Sequence, residues 1–231
     1  MENTYAAINR RIADGSSLKY TTLVADCFDI AVGGPLTIDP WIVEMQGMSG
    51  KRYRQMINQI ISRLPDARYL EVGTWLGSTL CSAISGNAVS ATAIDMWGVF
   101  PGSIDTLHEN IRRAQNGGNP VTFLQEDFRQ VDFSNIGRFN AYMFDGPHSE
   151  QDQYDGIVIA MPALDDEFVL IVDDYNSFDV QSGTQRAIVD LGLIVDSIEI
   201  LTTLDGSHPS LAHQNSDWHN GYFIASMRKP G

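Results

Sequence analysis

From residue 68 to the end of the chain, short apolar runs alternate with stretches whose apolar positions recur at helical spacing. Residues 68–72, 90–94, 121–124, 139–144 and 168–172 predict five strands, and 194–201 and 222–227 predict two more. Between them, a helix runs from a glycine turn through Leu80, Cys81, Ala83 and Ile84. A second spans 104–114, with Ile104, Leu107, His108 and Ile111 on one side and Asn116-Gly-Gly closing it. Residues 150–164 and 183–191 predict two more helices, and Asp165-Asp166-Glu167 reads as a solvated turn before the fifth strand. Upstream, residues 52–64 place Tyr53, Met56, Ile57, Ile60, Ile61 and Leu64 on one face, and Pro65 ends that helix. In the first 40 residues Tyr5, Ile8 and Ile12, then Leu23, Val24, Cys27, Phe28 and Ile30, recur at roughly helical spacing. They predict one or two amphipathic helices, broken by Gly33-Gly34-Pro35.

Strand and helix alternating in this way predict an α/β three-layer sandwich around a mostly parallel, seven-stranded sheet. Only a polar loop joins the last two strands, so they should pair as an antiparallel hairpin. Residues 1–44 then form a helical N-terminal cap, which shapes a substrate pocket or an oligomer contact, and residues 45–231 form the main domain. Open α/β sheets bind ligands at the carboxyl ends of their strands. Five of the predicted strands end in, or run directly into, an acid there: Glu71, Asp95, Asp127, Asp145 and Asp173. One acid after a strand is ordinary turn chemistry; five on one rim mark a site.

Charge narrows the partners. The net charge is −14 and the chain has three lysines, Lys19, Lys51 and Lys229. Such a surface repels phosphate backbones, which argues against nucleic acid and anionic membranes and leaves small or cationic substrates open. Cys27 and Cys81 are too few and too unpatterned for a disulfide framework or a zinc site. No apolar run approaches the roughly 20 residues of a membrane span, and the first residues lack the apolar core of a signal peptide. A cytoplasmic protein is the expectation.

The strand-to-helix turn at 69–79 is the organising stretch. Its spacing, Glu71-x-Gly73-x-x-x-Gly77, departs from the three-glycine turn that seats a pyrophosphate. An acid before the first glycine suits a cationic or hydroxyl-bearing ligand better than a diphosphate. Over about residues 45–230 the order and spacing of these motifs resemble the class I S-adenosylmethionine-dependent methyltransferases. The resemblance implies that the turn lies under the methionine part of the cofactor, with contacts from Glu71, Gly73, Thr74, Gly77 and Ser78. It implies further that Asp95 binds the ribose hydroxyls, that Asp127 meets the adenine amine, and that Trp97 or Phe128 packs on the purine. Ser49, in the loop at 45–50, is a candidate contact to the amino-acid end.

A second constellation is Phe144-Asp-Gly-Pro-His148 with Ile171-Val-Asp-Asp-Tyr-Asn176. Three carboxylates at the ends of adjacent strands make a hard-oxygen site suited to magnesium, and without a cation they would repel one another. The pattern resembles the metal-dependent O-methyltransferases of the sugar and natural-product branch. The resemblance implies Asp145, Asp173 and Asp174 as metal ligands, Asp145 also beside the cofactor, His148 as general base, and Tyr175 and Asn176 as supports. The catechol-type branch has an Asn after the second acid and a lysine base; this chain has Asp174 and no lysine nearby. In the loop at 202–220, His208, His213, Trp218 and His219 match no metal spacing and point to substrate or subunit contacts.

The function implied is transfer of a methyl group from S-adenosylmethionine to a hydroxyl of a small metabolite. A divalent cation such as magnesium would assist, and the protein could be a homo-oligomer. The alternatives are a metal-independent methyltransferase and a non-catalytic S-adenosylmethionine-binding protein of the same fold. The lack of any Asp-x-Asp argues against a metal-dependent glycosyltransferase.

Overall fold

The computed structural model describes residues 5–11, 18–98, 100–115, 119–209 and 216–231. The apolar runs build strands β2 (Arg68–Val72), β3 (Ser90–Ile94), β4 (Val121–Leu124), β5 (Phe139–Phe144), β6 (Leu164–Val172), β7 (Ile194–Leu201) and β8 (Tyr222–Arg228), preceded by β1 (Ala7–Arg11). The helices are α1 (Thr21–Gly33), α2 (Pro40–Glu44), α3 (Lys51–Arg63), α4 (Ser78–Ile84), α5 (Ile104–Ala114), α6 (Glu150–Ala160) and α7 (Phe178–Asp190). All eight strands form one sheet in the order β1-β7-β8-β6-β5-β2-β3-β4. β2 pairs parallel with both β3 and β5, and the chain reverses its direction across the sheet at β2, which makes the β2/β5 boundary the switch point. β7 and β8 pair antiparallel with each other, and β8 pairs antiparallel with β6.

Each buried strand feeds two cores by alternation. Tyr69 joins the layer of α1, α3, α4 and α5 with Tyr53, Met56, Ile60 and Leu80. Leu70 and Val72 join the α6 and α7 layer with Phe144, Ile157 and Val180.

The expected helical cap and seven-stranded sheet need correcting. Ala7–Arg11 is a strand, not a helix, and it adds an eighth strand by pairing antiparallel with β7, from Ala7↔Leu201 to Arg11↔Ser197. Five residues hold too little helix to stabilise itself, whereas the open edge of β7 offers a row of backbone partners. Tyr5 and Ile8 pack on the core while Arg10 and Arg11 are exposed and pair with Asp29 and Glu199. Ile12 lies outside the described residues, as do Asn116-Gly-Gly and His213. The cap otherwise consists of α1 and α2, and Val24, Cys27, Phe28 and Ala31 of α1 share the core of the main layer.

Asp165-Asp166-Glu167 is also not a turn. It lies inside β6, where Glu167 stands opposite Arg228 and Asp165 pairs with Arg68 at 2.5 Å. A register irregularity between β5 and β6 accommodates these extra residues. The helix predicted to reach 164 stops at Ala160, with a single 3-10 turn over Met161–Ala163. The helix predicted from 183 begins earlier, at Phe178.

Candidate active site

The glycine turn is shaped by its own chain first. Gly73 has φ +91°, and a β-carbon there would overlap the carbonyl oxygen of Asp145. The missing side chain therefore lets the ends of β2 and β5 touch at the switch point. Gly77 takes φ +85° and starts α4. Glu71 is fully buried, and its carboxylate accepts from the hydroxyls of Thr74 (2.6 Å), Thr79 (3.0 Å) and Tyr69 (2.5 Å). Burial raises its pKa to about 7 even against these three bonds. Glu71 and Thr74 thus brace the turn from beneath. Ser78 Oγ, also buried, lies 3.1 Å from Ser49 Oγ.

Asp95, half-buried, follows β3 and accepts from two backbone donors, Trp75 N (2.7 Å) and Trp97 N (2.6 Å). Both tryptophans hold positive φ, and Trp97 Nε1 donates to the Trp75 carbonyl at 3.1 Å. Asp95 therefore clasps the two loops that follow β2 and β3. Trp97 rests on Phe123, and Met96 and Phe100 stand exposed beside it. Asp127 caps the 3-10 turn Phe128–Gln130, accepting from Arg129 N at 3.0 Å. Phe128 is buried edge-on against Phe144, so it belongs to the core, and of the two aromatic candidates Trp97 is the more accessible.

Across the switch point lies the second cluster. Asp145 follows β5, and after Gly146-Pro147 the His148 Nε2 lies 3.7 Å from Asp145 Oδ1 and 2.9 Å from Asp174 Oδ2. One ligand atom from each of Asp145, His148 and Asp174 falls within 4.8 Å of the others. Asp173 is buried; Oδ1 accepts from Asp174 N at 2.7 Å, while Oδ2 is buried and, among the described residues, meets no donor. The four groups expected here come together, but His148 sits among the ligand atoms and Asp173 lies behind them.

The electrostatics follow from that crowding. Burial, then the charge of Asp174, pushes the Asp145 carboxyl up to about 7 against the pull of His148. Burial and the charges of Asp145 and Asp174 push Asp173 up as well. Asp174 is held low by His148, Asn220 and His208 although its burial works the other way. Burial opposes the charged form of His148, yet hydrogen bonds to Asp145 and Asp174 raise it to about 10.

Two neighbours of this cluster were not among its expected members; His208 was expected only as a substrate or subunit contact, and Asn220 had no signal. Asn220 Nδ2 donates to Asp174 Oδ1 at 2.5 Å, and His208 Nδ1 lies 3.7 Å from the same oxygen. Asn176 explains the second. Its buried amide bonds Thr202 N, Thr202 Oγ1 and the Ser207 carbonyl, which folds residues 202–209 over the rim and delivers His208. Tyr175 is buried against Phe223 and accepts from Gln185. Trp218 and His219, expected to face substrate or a subunit, turn inward instead; Trp218 packs between Phe28 and Tyr222.

Residues 70–175 match the family model described as a methyltransferase domain. The chain is similar to that family over this segment. Its fold is shared with precorrin-6y C5,15-methyltransferase from Geobacter metallireducens GS-15 (TM-score 0.54, 15% identity, 80% of this chain and 93% of that one). It is shared also with precorrin 8w decarboxylase from Methanobacterium thermoautotrophicum (0.54, 16%, 81% and 94%). A third similar structure is TrmN from Thermus thermophilus (0.51, 15%, 82% and 52%); this chain spans about half of that one. At such identities the likeness is one of fold. No curated protein is similar to this chain in sequence. The matched segment takes in the glycine turn, Asp95, Asp127, Asp145, His148 and Asp173-Asp174. Ser49, Asn176, His208 and Asn220 lie outside it. Among the described residues no helix is long and apolar enough to cross a membrane.

Proposed function

We propose that this protein transfers a methyl group from S-adenosylmethionine to a hydroxyl of a small metabolite, a sugar or natural product, beside a divalent cation. The observation that carries the reading is the buried Asp173 oxygen without a donor, behind Asp145, His148 and Asp174. Carboxylates crowded in this way are short of positive charge, and hard oxygen donors select magnesium or manganese. Asp145, Asp174 and Asp173 are the residues that would hold the cation. When bound, it supplies Lewis acidity to the acceptor hydroxyl.

The chain's own groups do the rest. A carboxylate has about four acceptor sites, so Asp95 keeps acceptor capacity beyond its two backbone bonds for the ribose hydroxyls. Trp97 offers a flat face to the purine. His148 is held protonated by Asp145 and Asp174, so neutralising those carboxylates is what frees its lone pair to accept the hydroxyl proton. The net charge of −14 suits a neutral or cationic acceptor.

Calorimetry with S-adenosylhomocysteine and with Mn²⁺ tests both halves. We expect one site for each, and methyl transfer that stops in chelator and returns with Mg²⁺. Full transfer in chelator favours the metal-independent reading, for which the direct 2.9 Å His148–Asp174 contact is the supporting observation.

A further inference from the structure

The sheet ends in two edge strands, and they differ in kind. β1, at one edge, carries Arg10 and Arg11, both exposed. Charged side chains on an edge discourage pairing with another chain. β4, at the other edge, reads Val121-Thr-Phe-Leu124 and has no charge, no proline and no register shift against β3.

One side of the β4 backbone is taken. Ala91 N donates to the Pro120 carbonyl and Asp95 N to the Leu124 carbonyl, in a register that sets Ala91 opposite Val121 and Ala93 opposite Phe123. In a parallel pair, the residue opposite one that bonds inward has its own N–H and C=O turned away. Val121, Phe123 and Gln125 therefore aim theirs outward, and among the described residues no backbone group pairs with them. Beside this edge Val121 and Phe123, with His108, Ile111, Arg112 and Gln115 of the α5 side, line an open groove of about 300 Å³. Its floor is apolar, and His108 and Arg112 are exposed on its rim. Arg112, in the last turn of α5, stands beside the start of β4, whereas exposed Glu126 follows the strand's other end.

We propose that β4 is a docking edge for a second copy of this chain, the two sheets joining antiparallel across Phe123. A two-fold axis there sets Val121 of each copy opposite Gln125 of the other, so the outward N–H and C=O groups meet their counterparts. Side chains at 121 and 123 share a face, which brings the two Phe123 rings together beside the grooves. The same rotation carries the Glu126 end of each strand to the Arg112 end of its copy. That double match favours a second copy over an unrelated strand. Chains of net charge −14 repel, but salt at about 0.15 M screens this beyond about 8 Å and leaves the local match to decide.

Sedimentation equilibrium of the full chain at about 0.15 M salt tests this. We expect a reversible monomer–dimer equilibrium. Val121→Lys places a charge on the edge, and Arg112→Glu sets like charges against each other; each should weaken the dimer by about tenfold or more. Thermal unfolding shows whether each variant is folded, and Arg112→Glu, at an exposed position, carries the test if Val121→Lys is not. Combining Arg112→Glu with Glu126→Arg exchanges the two charges and should restore the dimer to within about threefold of wild type. A wild-type chain that stays monomeric, single variants that dimerise like wild type, or an exchange that restores nothing overturns the proposal.

Discussion

Two pairs of acids stand at the ends of neighbouring strands, and they are treated in opposite ways. On the β2/β3 side, Glu71 accepts three hydroxyls and Asp95 accepts two backbone N–H groups. On the β5/β6 side, Asp145 and Asp173 have one histidine, one backbone donor and each other, and among the described residues one buried oxygen has no donor. Yet Glu71 and Asp145 are both raised to about 7. The first is raised by burial, with only a small push from Asp95, against three hydroxyl bonds; the second is raised by burial together with the charge of Asp174, against one histidine. A raised pKa therefore does not distinguish a brace from a ligand site; the supply of donors does.

The sharpest way to break this contrast is at His148. We expect His148→Ala to lower the single-turnover rate of methyl transfer by roughly 10²–10⁴-fold while S-adenosylhomocysteine binding stays intact. Measuring Mn²⁺ affinity in the same variant decides its role. Unchanged affinity assigns His148 as base, and a large drop assigns it as ligand. A wild-type rate would remove it from both.

Gly73 joins the two sides, so Gly73→Ala should disturb both together. A β-carbon at φ +91° that overlaps the Asp145 carbonyl should cost roughly 3 kcal/mol or more of stability in denaturant unfolding. A loss below about 1 kcal/mol would show that the β2 and β5 ends are not held in contact.

Glu71 makes a pH prediction. Its folded pKa of about 7 lies above the ordinary glutamate value of about 4.5, so the folded state binds the proton more tightly. Its contribution is fully present below pH 4.5 and is lost as pH rises towards 7 and beyond, by about 3 kcal/mol. Glu71→Gln should remove that component, seen as a flatter curve of unfolding free energy against pH than wild type. Parallel curves would mean the carboxyl is not raised.

The smallest effect belongs to Asp173. In chelator at pH 8, Asp173→Asn should stabilise the protein by about 1–2 kcal/mol, because a charge buried beside Asp145 and Asp174 disappears. The same change should weaken Mn²⁺ binding. Destabilisation in chelator would show that Asp173 is satisfied without a cation.

Much of this molecule was legible in the order of residues, and the exceptions share one cause. Strand and helix alternation, the closing β7/β8 hairpin, the glycine turn and the acids after the strands follow from hydrophobic period and turn chemistry, which act over a few residues. What only the tertiary structure decided is who supplies each hydrogen-bond partner. Ala7–Arg11 is a strand because the open edge of β7, about 190 residues later, accepts it. Asp165-Asp166-Glu167 extends because β8 lies opposite. His208 reaches Asp174 because Asn176 folds its loop back, and Arg54 can be buried because the carbonyls of Ile42, Val43 and Met45 and the hydroxyl of Ser49 accept its donors. Polar groups take their function from the donors and acceptors around them, and in a folded chain those come from residues far away in sequence.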